Sequence, residues 1–338
     1  MKTFSLISPL DMHLHLRDAD MLRLAAPYSA NVFAGGVVMP NITPPITTLD
    51  ALHAYRKRVL EACGSHLFLP YMTMFLKQYS DSFLEEAAAH IVAMKLYPAG
   101  VTTNSEEGAK SIDSLEPQLK AMEALKIPLS IHAETHCHNL FHREQTFLPI
   151  LEQMAKKFPK LKIIFEHIST KDGLRLIEDY ENIYATITLH HMTLTVDDLM
   201  GERLNPHLYC KPVLKAEHHK EAVLEAALNA GAKVMFGSDS APHPREAKES
   251  ASAPAGIFSA PILAPKLVEI FEAHNKLENL QKFISNNAQA IYGIKPPEKI
   301  VTLEKSGCTA PIVCRHAKIE TVCIFAGETC EWRVAGVE

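Results

Sequence analysis

Short apolar runs alternate with amphipathic stretches along most of the chain. The runs are Leu6 to His13, Gly36 to Met39, Leu67 to Met74, Ile91 to Leu96, Pro128 to His132, Ile163 to His167, Tyr184 to Leu189 and Lys233 to Gly237. Helical periods follow at Leu49 to Ala62, Asp81 to His90, Leu115 to Lys126, Leu148 to Phe158, Gly173 to Tyr180, Glu217 to Ala230, Pro261 to His274 and Leu280 to Tyr292. Strict alternation of this kind predicts βα units around a parallel sheet. Eight candidate strands point to closure, because an open doubly wound sheet seldom needs so many regular repeats. The expected fold is therefore α/β, a (β/α)8 TIM barrel over residues 1–295. From Pro296 the pattern changes to short β-like pieces, Ile312-Val313-Cys314 and Thr321 to Phe325, so residues 296–338 are read as a C-terminal appendage packed on the barrel.

Composition narrows the partners. With 338 residues and 47% apolar content the chain can bury one large core. A formal charge of −5 and the lack of any Lys/Arg-rich run leave nothing to attract nucleic acid or an anionic membrane surface, so a small molecule is the expected partner. The first residues carry no long apolar stretch and no later window approaches a membrane span, which predicts a cytoplasmic protein. Seven cysteines, odd in number and without a Cys-x-x-Cys pair, argue against a disulfide framework or a thiolate zinc site. Any metal must then be held by histidines, carboxylates and similar groups.

In a barrel of this type chemistry sits at the C-terminal ends of the strands. Strand one ends in Asp11-Met12-His13-Leu14-His15-Leu16-Arg17, strand two in Pro40-Asn41, strand four in Lys95, strand five in His132, strand six in His167 and strand eight in Asp239. His13 and His15 are two apart, so on an extended segment both imidazoles reach one side and one ion. Taken alone, His-x-His also fits an ordinary strand pair, and single buried histidines are commonly bonded to backbone. The conjunction of these residues on one rim favours ligation. Lys95 places an ammonium among apolar residues, where an unpaired charge is costly. A neutral amine there can add carbon dioxide and become a carbamate that bridges two metals; a salt bridge to Asp239 or Glu134 is the other reading.

The strings Asp11-Met12-His13-Leu14-His15-Leu16-Arg17-Asp18, Met39-Pro40-Asn41, Met94-Lys95-Leu96-Tyr97-Pro98, His132-Ala133-Glu134 and Gly237-Ser238-Asp239-Ser240-Ala241-Pro242-His243 resemble dihydroorotases of the amidohydrolase superfamily. The resemblance covers nearly the whole chain. It implies two Zn2+ per chain: His13, His15 and Asp239 on one, His132 and His167 on the other, with carboxylated Lys95 and a hydroxide bridging both. It implies Asp239 as proton shuttle, and Arg17, Asn41 and His243 as ligands of the substrate carboxylate. The backbones of Leu214 and Ala255 match positions that contact the ring, and Thr102 and Thr103 match a mobile loop that closes over the ligand. The implied reaction is the reversible cyclisation of N-carbamoyl-L-aspartate to L-dihydroorotate and water in de novo pyrimidine (UMP) biosynthesis, with a homodimer common among such relatives. Without the resemblance, Arg17 reads as a rim salt bridge, and Asn41 and the threonines as turn caps.

Two features depart from the pattern. Ser252-Ala253-Pro254-Ala255-Gly256 stands where relatives carry a Cys/Gly-rich turn. His190 and His191 are adjacent, and neither is read as a ligand because neighbours on a strand face opposite ways. The competing readings are another cyclic amidohydrolase of hydantoinase or allantoinase type, which would lack Arg17, Asn41 and the Thr-Thr loop, and a catalytically inactive relative kept as a partner subunit. A phosphate-binding barrel isomerase is disfavoured, since Ser238 to His243 contains no Gly-rich turn leading into a helix.

Overall fold

Eight parallel strands follow one another in sequence order around a single sheet: β2 (Leu10–Leu14), β3 (Gly35–Val38), β4 (Leu69–Phe75), β5 (Ala93–Leu96), β6 (Leu129–Ile131), β7 (Ile163–Phe165), β8 (Ile183–Ile187) and β9 (Val234–Phe236). This computed structural model describes residues 2–100, 102, 105, 108, 113–136 and 139–338. Helices such as Ala19–Val32, Leu49–Cys63, Arg143–Lys157 and Glu217–Asn229 cover the outside of the sheet. The arrangement is the (β/α)8 barrel that the periodicity predicts. Most of the core lies between strands and helices, while Leu10, Met12, Val37, Met39, Tyr71, Ile164 and Met235 form a separate cluster contributed almost wholly by the strands.

Closure of the barrel runs through the site itself. The backbone N–H of Asp239 donates to the His13 carbonyl at 2.7 Å, and that of His15 donates to the Ser240 carbonyl at 3.0 Å, so the seam between first and last strands joins three of the predicted ligands. Along β2 the register against β3 moves from Asp11↔Gly36 to Leu14↔Val38, which inserts one extra residue on β2. Such a bulge switches the parity of the side chains. Met12 can therefore pack with the strand cluster while the next residue, His13, turns toward the rim. Gly237 makes room for that turn, because a Cβ there would lie 2.9 Å from both His13 Cβ and Thr186 Cβ. Arg17, His167 and Asp239 all take positive φ, of 61°, 41° and 44°, a conformation that non-glycine residues adopt mainly where surrounding structure imposes it.

The predicted first strand is interrupted. Ser8, at φ 45° and directly before Pro9, breaks the run Leu6 to His13, and Thr3–Ile7 becomes a separate strand, β1. β1 pairs antiparallel with β10 (Ile300–Glu304). The C-terminal region continues through β11 (Cys308–Thr309), β12 (Val313–His316), β13 (Ile319–Val322), β14 (Thr329–Cys330) and β15 (Arg333–Val337), where β15 pairs with β10, β11 with β14 and β12 with β13. A parallel bridge between Phe258 and Cys323 joins this region to the segment after β9. Among the described residues no helix is long and apolar enough to cross a membrane.

Candidate active site

His13 Nε2 lies 3.3 Å from His15 Nε2, and these nitrogens lie 3.6 Å and 3.1 Å from Asp239 Oδ1. Beside this triad His132 Nδ1 lies 3.1 Å from His167 Nε2. The two groups adjoin, with the His13 and His167 rings 5.0 Å apart between centroids. Lys95 is fully buried, and its Nζ has no hydrogen-bond partner among the described residues. It makes no salt bridge to Asp239 or Glu134 in the structure. Burial pushes its ammonium down to about 8, with Glu166 and Asp239 pulling the other way. The lowered value enlarges the neutral fraction of the amine, the form that adds carbon dioxide.

Carboxylates stand behind the ligand-type nitrogens, among them Glu166, which the sequence reading passed over. Glu166 is fully buried at the end of β7 and sets Oε2 2.8 Å from His13 Nδ1, while Ser130 Oγ and Thr186 Oγ1 (2.6 Å) donate to its two oxygens. With Nδ1 beside Glu166, His13 Nε2 is left on the side of Asp239 and His15. Glu134 does the same for His132, holding Nε2 at 2.7 Å and leaving Nδ1 toward His167. Asp11 ties the seam: Ser238 donates to it through N (2.7 Å) and Oγ (2.5 Å), which fixes the residue before Asp239. Burial holds His15 and His167 well below the usual imidazole range, aided by Arg17 and His132 respectively, so both are neutral. Burial acts the opposite way on the Asp239 carboxyl, which is raised.

The donor set, four imidazoles and one carboxylate around a buried amine without a hydrogen-bond partner, suits borderline cations such as zinc. Donor atoms of His13, His15 and Asp239 lie within 4.8 Å of one another, close enough for one ion. Donor atoms of His190, His191 and Cys210 also lie within 4.8 Å of one another. There the sequence argument needs correction, because His190 and His191 lie in a short helix, Leu189–Thr193, and not on a strand. Their rings approach to 4.5 Å. His191 already contacts Thr188 Oγ1 and the Pro212 carbonyl, each at 2.9 Å, and the Cys210 thiol donates to the same carbonyl.

Above the histidines opens a cleft lined by Arg17, Asn41, Tyr97, Thr102, Lys211, Ala255 and Gly256 among others. Arg17 donates through Nε to the Pro242 carbonyl at 3.1 Å and through Nη2 to His243 Nε2 at 2.9 Å. Asn41 bonds His15. Burial and the nearby Arg17 hold His243 neutral, down to about 2. Its Nε2 also lies 3.0 Å from the Ala255 carbonyl. Leu214 is fully buried, on the segment that follows the pocket residue Lys211. Thr103 lies outside the described residues. Tyr97 and Lys211 are pocket residues the sequence reading missed; Tyr97 stands two places after Lys95, where strand alternation would have found it.

Comparison with known proteins agrees with this geometry. The amidohydrolase family profile matches residues 5–297. A dihydroorotase of Helicobacter hepaticus is 45% identical, with 98% of each chain aligned. The crystal structure of a dihydroorotase from Campylobacter jejuni superposes with a TM-score of 0.95 at 47% identity, covering 99% of this chain and 98% of that one. The dihydroorotase from Saccharomyces cerevisiae, solved in complex with 5-fluoroorotic acid, gives 0.93 at 33% identity with the same coverage. With its ligand-bearing rim, its closed barrel and this degree of likeness over its full length, the chain belongs to the dihydroorotases of the amidohydrolase family.

Proposed function

We propose that the chain interconverts N-carbamoyl-L-aspartate and L-dihydroorotate, the step of de novo pyrimidine (UMP) biosynthesis catalysed by its family, at a binuclear zinc site. One observation carries the reading: His13, His15 and Asp239 converge beside His132 and His167, with, near them, a buried Lys95 that has no hydrogen-bond partner among the described residues. His13, His15 and Asp239 would hold one zinc, and His132 and His167 the other. Lys95, its amine having added carbon dioxide and released a proton, would offer its carbamate as the ligand shared by both. Two such cations, when bound, polarise the ring amide carbonyl and lower the pKa of the attacking water.

The chain's own groups do the rest. Arg17 presents a planar fork to the substrate carboxylate, and Asn41 and His243 complete that end of the cleft. The backbones at Ala255 and Leu214 meet the ring, and Thr102 stands at the cleft wall. In hydrolysis Asp239 accepts a proton from the attacking water and delivers it to the departing ring nitrogen; in closure it moves the proton back. A hydantoinase or allantoinase would share the histidines but has no call for a carboxylate fork, so Arg17 separates the readings. A homodimer, common among such relatives, completes the proposal and is checked by light scattering; a cytoplasmic location is the expectation from the lack of a long apolar stretch.

The test is the pH dependence of both directions. Hydrolysis needs Asp239 ionised, so its kcat/KM rises with pH to a plateau. Closure needs it protonated, so its kcat/KM is flat at low pH and falls above the same apparent pKa, which belongs to the coupled site. Asp239→Asn removes both limbs. Hydrolysis that stays flat across the neutral range would assign the proton to another group.

A further inference from the structure

Lys248 lies outside the metal cluster, in the short helix Arg245–Lys248, yet it is only 3% exposed. No carboxylate bonds its ammonium. Instead Nζ donates to three backbone carbonyls, Tyr209 at 2.9 Å, Pro254 at 3.0 Å and Gly256 at 2.8 Å. An ammonium has three protons to give, and all three are used. Burying a charge without a counter-ion is costly, and burial pushes this one down to about 8. A methionine of similar length would fill the same space without a buried charge but would leave these carbonyls without their donor, so the value of the lysine lies in what it holds.

What it holds is the wall of the cleft. Pro254 and Gly256 flank Ala255, so the two carbonyls on either side of that residue end on one nitrogen. The Tyr209 carbonyl also accepts from the Gly256 N–H at 2.9 Å, closing a triangle of Tyr209, Gly256 and Lys248. Tyr209 leads directly into Cys210, Lys211, Pro212, Val213 and Leu214. The clamp thus joins the two stretches of backbone that face the ring. Gly256 has no slack against the opposite side, because a Cβ on it would stand 2.4 Å from the Ala241 carbonyl and 2.9 Å from His243 Cδ2. On the other flank Ser252-Ala253-Pro254 is exposed or half-buried and adds little packing of its own.

We propose that Lys248 is a positioning residue for ring recognition: its three-carbonyl clamp fixes the Ala255 backbone against the Lys211 to Leu214 segment. The inference rests on the reading that Ala255 contacts the ring. Lys248→Arg keeps the charge and loses the three-point geometry, and Lys248→Met loses both. The probes are orotate, a planar cyclic ureide with one carboxylate, and succinate, which has carboxylates and no ureide.

In zinc-loaded protein both variants raise the Ki of orotate and the KM of dihydroorotate by about 10- to 100-fold, the order expected when ring contacts to backbone are lost. Metal content stays at the wild-type value, kcat falls far less than KM rises, and Lys248→Arg leaves the Ki of succinate unchanged. If orotate and succinate weaken in step in Lys248→Arg, if neither weakens, or if neither variant accumulates as folded protein, Lys248 is structural and the proposal is overturned. Wild-type protein that binds orotate no better than succinate would sink the reading of Ala255 beneath it, a result seen before any variant is made.

Discussion

Replacing Glu166 should loosen the metal site in two graded steps. Its Oε2 faces His13 Nδ1 at 2.8 Å, and its oxygens accept from Ser130 Oγ and Thr186 Oγ1. In Glu166→Gln the amide nitrogen can turn to Ser130, whose hydroxyl rotates to accept it, so the oxygen facing His13 survives and only its charge is lost. Charge-assisted bonds are about twice as strong as neutral ones, which makes the loss about 1 kcal/mol. Outer partners of ligating histidines are worth about 10- to 100-fold in metal affinity. Gln, with geometry kept, belongs at the tenfold end. Glu166→Ala removes the oxygen as well and belongs near 100-fold, with a further stability cost of about 1–3 kcal/mol for each buried donor left unpaired. Chelator competition followed at equilibrium reads the affinities, and activity at saturating zinc should return close to wild type in the Gln variant. Unchanged zinc affinity in both variants, or activity in Glu166→Gln that excess zinc does not restore, would refute the role given to this carboxylate.

Other outcomes follow from the same geometry. Lys95→Ala should lose the bridge and the activity together, with short carboxylic acids restoring part of both; active wild-type enzyme that shows no carbamate signal from labelled bicarbonate would remove Lys95 as the bridge. Arg17→Met should lower kcat/KM by about 10- to 150-fold, the loss of one charge-assisted contact worth roughly 1.5–3 kcal/mol, chiefly through KM and with metal content and pH profile intact. A fall in kcat alone would move Arg17 out of carboxylate binding.

The rim was legible from sequence because a barrel delivers its chemistry at strand ends, and those ends are set by apolar runs of recognisable length. Leu6 to His13 shows the limit of that signal. Its apolar residues run on past Ser8, but the positive φ at Ser8 hands Thr3–Ile7 to the C-terminal sheet, a pairing across about 300 residues that no local pattern encodes. The bulge that turns His13 inward is equally silent, since one extra residue on β2 leaves the His-x-His spacing unchanged. His190 and His191 were misplaced because the apolar run extends through Leu189, although Thr188 in fact caps a helix with its side chain. Glu166 adjoins a predicted ligand and could have been suspected from that alone. Lys248 could not, because a lysine followed by Glu249 and Ser250 reads as a solvated helix end until the fold wraps three carbonyls around it.

The binuclear reading meets its most direct test in one titration. Metal-free protein is supplied with zinc in known equivalents, with bicarbonate present, while hydrolysis of L-dihydroorotate is followed by ultraviolet absorbance. Activity should climb to a plateau at about two zinc ions per chain, as two donor groups sharing one bridging lysine require. A plateau reached at one ion per chain, or hydrolysis that proceeds at full rate without metal, would contradict it.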